Sequence, residues 1–245
     1  MLALFVVFCY FYIQIFIWHT IFACLSFFIG ELFMVKNFWS GLLGISMGLV
    51  MSFTVGAQGL VPPREGVDFR YVNVGAHSVV QDSSRPVVVE FFWYGCPHCF
   101  RAKPIVAEFK RGNPNIDVIQ FPVVFSGWES GAKIHFTLEM MGLSEEFHEK
   151  VYNEIHVNRG RILQNDADFF AFMQRNKADP GKVRTIHRSF TVATNVTRAR
   201  NISRAYNLKG TPSFAVHRDG KVMLVEPSAV GGVQRAMDII EALVK

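Results

Sequence analysis

Cysteine is scarce in this chain of 245 residues: four are present, and only Cys96 and Cys99 lie beyond residue 57. A scaffold stapled by disulfides needs many more, and that class is excluded. Charge is scarce at one end only. Residues 1–57 hold two charged side chains, Glu31 and Lys36, while the other 24 Lys/Arg and 19 Asp/Glu fall in residues 58–245, which carry the whole net charge of +5. No run of Lys or Arg exceeds two, so the basic balance describes a solvated surface, and no nucleic acid is expected as a partner. A second C-x-x-C and a close His pair are both missing. A zinc site would lack about two ligands, and no metal is expected. Composition excludes disorder, collagen and coiled coil, and there is no periodic self-similarity of the kind a repeat protein shows.

The high apolar fraction, 50% of residues, is concentrated in a leader. Met1–Gly30 carries no charge and is long enough to span a bilayer as a helix. A second apolar run follows with the layout of a secretory signal: Met34-Val35-Lys36 as a positive n-region, Phe38 to Phe53 as the h-region, and Val55-Gly56-Ala57 at the cleavage positions. The preferred reading is a start at Met34 with residues 1–33 as an upstream extension, a signal peptide over 34–57, and cleavage after Ala57. The alternative is a membrane anchor formed by residues 1–33. Both export the remainder, 58–245, into a compartment where disulfides form.

In that remainder Gln58 to Val67 reads as an extended lead-in, and Phe69 to Val72 as a first strand. Pro86 to Trp93 is a continuous β-branched and aromatic run, the pattern of a strand buried on both faces. A helix is predicted to follow over Phe100–Arg111, with Phe100, Ile105, Ala107 and Phe109 as its apolar side. Ile116–Phe125 returns to strand, and the β-α-β order implies two parallel strands. About 127–207 is helical throughout. Ser144 is expected to cap one helix that buries Phe147, Val151 and Ile155. Asp166 precedes another, and Asp179-Pro180 starts a third with Val183, Ile186 and Phe190 on one side. Ser213–His217 and Val222–Val225 form a hairpin around Asp219-Gly220, and a last helix begins near Gly232. This is an α/β architecture with a helical subdomain inserted into a sheet fold.

The chemistry concentrates in Cys96-Pro97-His98-Cys99, placed where a buried strand ends and a helix begins. Unpaired N–H groups and the positive end of the dipole face the first thiol there, so the Cys96 thiolate is stabilised. Pro97 fits the first turn, and His98 can add a donor or a positive charge. Cys99, one turn on, is the buried resolving thiol. An inert disulfide closing so small a loop would contribute little stability. Glu90 is a carboxylate in an apolar strand that either reaches the sheet edge or pairs locally. Pro212 reads as a proline at a strand start. The triplets at Asn195 and Asn201 fall in a predicted helix and are not read as glycosylation sites.

The segment from Glu90 to Cys99 resembles the active-site region of the DsbA family of thiol:disulfide oxidoreductases, and the likeness runs over most of residues 68–245. The order of strand, C-P-H-C helix, strand, helical insertion and Gly210-Thr211-Pro212 matches that family, as does Pro104 eight residues after Cys96. The resemblance implies a thioredoxin-like fold with an inserted helical subdomain and Cys96 and Cys99 as the catalytic pair. Pro97, His98 and Glu90 would modulate that pair, with Glu90 taking up the Cys99 proton. Pro212 would be cis, with Thr211 offering its backbone to substrate. The family often pairs this glutamate with a lysine on the next strand, where this chain has Gln120.

The implied activity is a periplasmic disulfide oxidase that donates the Cys96–Cys99 disulfide to reduced, unfolded exported proteins. It would need no cofactor beyond that disulfide and would be re-oxidised by a quinone-linked membrane partner of the DsbB type. The rival within the same chemistry is a reductase or isomerase. An isomerase usually needs a dimerisation module, for which a single domain leaves no room, so a monomer is expected. The rival from another class is a noncatalytic thioredoxin-like binding module.

Overall fold

The computed structural model describes residues 62–81 and 83–245. The expectations for the segment 1–33, the signal peptide 34–57 and cleavage after Ala57 lie outside the described residues. The chain enters the sheet through a short strand β1 (Arg70–Tyr71) and reaches β2 (Val87–Phe92) after one 3-10 turn at Gly75–His77. Helix α1 (Pro97–Gly112) leads to β3 (Asp117–Pro122), followed by five helices: α2 (Glu129–Met141), α3 (Ser144–His156), α4 (Asp166–Arg175), α5 (Pro180–His187) and α6 (Phe190–Ala205). The hairpin β4 (Ser213–Arg218) and β5 (Lys221–Val225), then α7 (Pro227–Val230) and α8 (Val233–Val244), complete the chain.

The five strands lie in the order β1-β5-β4-β2-β3. β2 and β3 are parallel, so α1 is their crossover, and the other pairings are antiparallel. All six residues of β2 are buried, as its unbroken apolar pattern requires of a central strand. Its alternating side chains meet different helices. Val87, Val89 and Phe91 pack with Ala132 and Phe136 of α2 and with Val192, Ala199 and Ile202 of α6. On the other face, Val88 packs with Ala102, Val106 and Phe109 of α1 and Ile240 of α8. Phe92, also on that face, joins Cys99 and the insertion residues Phe147, Val151, Tyr152, Phe169 and Met173. Fully burying side chains such as these contributes about 1.5–3 kcal/mol each, so the insertion shares its core with the end of the strand that leads to Cys96.

Three local expectations are corrected. Ser144 does not cap α3. Gly142, in the left-handed region at φ 71°, ends α2, and Leu143 N–H donates to Leu138 O at 2.9 Å. That tight connection makes Leu143 the capping position and Ser144 already helical, its hydroxyl buried without a partner. Phe190 does not share a face with Val183 and Ile186. Ser189 accepts from Val192 N–H at 3.2 Å and starts a new helix, which leaves Phe190 at its first turn, 86% exposed. On α1 the buried stripe is Cys99, Ala102, Val106 and Phe109, so Ala107 is exposed. Asp179 caps α5 as expected, accepting from Lys182 N–H at 2.7 Å. Among the described residues, no helix is long and apolar enough to cross a membrane.

Candidate active site

Cys96 is the N-cap of α1 and Pro97 its first residue. The backbone N–H of Cys99 donates to Cys96 Sγ at 3.4 Å, and the Cys96 thiol donates to the Thr211 carbonyl at 3.3 Å. Both cysteines are free thiols. The Thr211–Pro212 bond is cis, and the hydrogen bond from Cys96 to Thr211 sets the start of β4 against the reactive sulfur. The hydrogen bond from the Cys99 side-chain thiol is the main cause that brings the Cys96 thiol down to about 5. Burial opposes it, while Thr211 and the backbone N–H groups of Cys99 and His98 assist. The Thr211 hydroxyl is buried and unpartnered in this dithiol state, and it is a donor available to the thiolate. Cys99 is fully buried. Burial first, and then its bond to Cys96, push its thiol far above the ordinary range. The pair is therefore strongly asymmetric.

His98 acts on Cys96 through its backbone. Its exposed ring instead accepts from Arg101 Nη2 at 3.1 Å. Glu90 is 2% exposed and does not reach the sheet edge. It pairs in register with Gln120, whose amide donates to its carboxylate at 2.8 Å. Burial raises the Glu90 carboxyl to about 7, with Gln120 and Lys103 moderating the rise. Among the described residues no three His, Cys, Asp or Glu side chains converge as a metal cluster.

Other residues that wall the site were not singled out by sequence reasoning. Trp93 stacks on Trp128 with ring centroids 4.2 Å apart and planes at 10°. Tyr94 is hydrogen-bonded to His148 Nδ1 at 3.1 Å, and His156 Nε2–H donates to the Tyr94 carbonyl at 2.8 Å. Tyr152 packs edge-on to Tyr94 at 5.1 Å, and His156 stacks on Phe100 at 4.9 Å. The only sequence signal for this wall is the aromatic density before Cys96. Gly95 is required by it: a Cβ there would collide with the Trp93 ring. Gly95→Ala is expected to displace Trp93 from Trp128, read as a changed tryptophan emission maximum and a lower melting temperature. An unchanged spectrum would show that the ring is not confined as described.

A low-pKa thiol at a helix N-terminus, over a buried partner and beside a cis-proline strand, is the site of a dithiol–disulfide enzyme on a thioredoxin-like sheet. No family model matches the chain. The thiol:disulfide interchange protein DsbA of Azotobacter vinelandii is 27% identical over 208 residues, 83% of this chain and 95% of that protein. Its counterpart from Burkholderia cepacia is 28% identical over 211 residues, 84% and 96% of the two chains. Crystal structures of Pseudomonas aeruginosa DsbA and of the Xylella fastidiosa oxidoreductase DsbA share the fold. Their TM-scores are both 0.64, at 24% and 19% identity, covering 73% and 74% of this chain and 91% and 96% of those chains. Over most of its length the chain is thus similar to the DsbA thiol:disulfide interchange proteins, a likeness that indicates thiol:disulfide oxidoreductase activity.

Proposed function

We propose that the Cys96–Cys99 disulfide is donated to reduced proteins in the periplasm, and that Cys96 is the sulfur they attack. The observation that carries this is the opposite displacement of the two thiols, Cys96 down to about 5 and Cys99 upward in its buried position. A substrate thiolate attacks Cys96 Sγ, the disulfide breaks, and its electron pair goes to Cys99, which takes up a proton. A second substrate thiolate then attacks the substrate sulfur of the mixed disulfide, and Cys96 leaves as a thiolate. A thiol of low pKa is a good leaving group, and stabilising the reduced form makes the disulfide a stronger oxidant.

The remaining roles follow from position. Glu90, at about 7, suits exchange of the Cys99 proton near neutral pH. Thr211, next to the cis bond, offers backbone for an extended substrate segment by strand addition, close to the sulfur that forms the mixed disulfide. The cycle uses the disulfide itself as its only redox group. Family likeness supports reduced exported proteins as substrates and a quinone-linked membrane partner of the DsbB type as re-oxidant.

The deciding measurement is the reduction potential of the pair together with the Cys96 pKa from thiolate absorbance. An oxidase is expected to lie well above the thioredoxin potential of about −270 mV, toward the about −120 mV of the reference DsbA, with Cys96 titrating well below an ordinary thiol. A potential near thioredoxin's with an unshifted thiol overturns the oxidase reading in favour of a reductase.

A further inference from the structure

Glu90 has no cation opposite it on either neighbouring strand: its register partners are Gln120 on β3 and Phe214 on β4. The positive charge that acts on it comes from α1. Lys103 stands four residues after Cys99, on the same face of that helix. Its side chain is only 20% exposed. The ammonium lies 5.5 Å from the centroid of the Tyr152 ring and 5.8 Å from that of Phe100, and 3.6 Å from Glu149 Oε1. Two aromatic faces thus cover the ammonium on the side of the site, while its ion pair with the exposed Glu149 lies toward solvent.

The packing puts this wall beside Glu90. Helix α1 folds back over the face of β2 that carries Val88, Glu90 and Phe92. Phe92 shares a cluster with Cys99 and Tyr152, and Val88 shares one with Ala102 and Val106. Glu90, between them on the strand, therefore lies at the level of the turn of α1 that carries Lys103. The groups beside Glu90 are Gln120 from β3, Phe214 from β4, Lys103 from α1 and Tyr152 from α3, and Tyr152 packs in turn in one cluster with Cys99. Lys103 is the one cation among them. His148, also on α3, is held neutral because burial pulls its pKa down to about 3.

We propose that Lys103 is a positioning residue for proton exchange between Cys99 and Glu90, its clamped ammonium setting how readily the Glu90 carboxylate accepts the Cys99 proton. The proposal rests on the thiol-exchange reading above. When Cys99 resolves a mixed disulfide at Cys96, its proton passes to Glu90, its electron pair forms the bond to Cys96 Sγ, and the departing partner sulfur leaves as a thiolate. In the reverse direction Glu90 returns the proton to Cys99 as that sulfur leaves. A nearby cation favours the charged carboxylate in both directions. This is a task that the neutral Gln120 cannot perform through charge.

The test is the release of glutathione from a Cys96–glutathione mixed disulfide, timed from pH 5 to 9 in the full chain. Lys103→Met, which keeps the stem packed on Tyr152, is expected to move the pH midpoint upward by about half a unit and to slow release at pH 7 by about threefold. Lys103→Gln should give the same shift, so a folding defect in one variant does not decide the matter. Lys103→Arg should restore the wild-type profile. A midpoint unmoved by Met and Gln, or moved equally by Arg, overturns the role of Lys103. A wild-type adduct that never releases glutathione overturns the oxidoreductase reading itself.

Discussion

Cys96→Ser is expected to reduce oxidation of a dithiol peptide to the uncatalysed background, because the remaining sulfur, Cys99, is buried and its thiol is displaced far upward. Cys99→Ser should have the complementary phenotype. Cys96 remains at the helix N-terminus, reacts with a disulfide of a partner and cannot be displaced from it. Mixed disulfides should then accumulate as adducts visible by mass and cleaved by reductant. The two variants separate enzyme from binding module. A noncatalytic thioredoxin-like module would keep its function in Cys96→Ser and form no adducts in Cys99→Ser.

Glu90→Gln is expected to stabilise the reduced protein, and only at neutral to alkaline pH. The carboxyl folds at about 7 against an ordinary 4.5. Since the folded value is the higher one, both states are protonated below pH 4.5 and burial of the group carries no charge penalty. The penalty grows as pH rises between the two values and is complete above pH 7, where it amounts to about 3 kcal/mol at 1.36 kcal/mol per unit. Glutamine retains an acceptor for the Gln120 amide and removes the charge. The urea midpoint of Glu90→Gln should exceed that of the wild type at pH 8 and match it at pH 4. Equal differences at the two pH values would mean that the gain comes from packing. The same variant should slow release of a partner from Cys96, having lost its proton acceptor.

Much of this site was readable because it is built from contiguous residues. The strand before Cys96 is buried on both faces and reads as one apolar run. The helix starts where Pro97 fits its first turn, and the parallel pairing of β2 with β3 places Gln120 opposite Glu90, as alignment by resemblance implied. The parts that did not read from sequence depend on distant contacts or on how two elements join. Nothing local to Trp93 announces Trp128 as its partner. Lys103 looks like an ordinary helix-surface lysine until Tyr152, brought from α3, covers it. Ser144 has the right residue type for a cap, but Gly142 closes the previous helix one residue too late to leave it that role. Phe190 fits a helical period that a single capping serine interrupts.

The stack of Trp93 on Trp128 joins two places that the chain keeps apart. Trp93 is three residues before the reactive sulfur, and Trp128 is the capping position of α2, the first helix of the insertion. The insertion is thereby bolted to the loop that carries Cys96. Parting the helical subdomain from the sheet would therefore break an aromatic stack within three residues of the reactive sulfur.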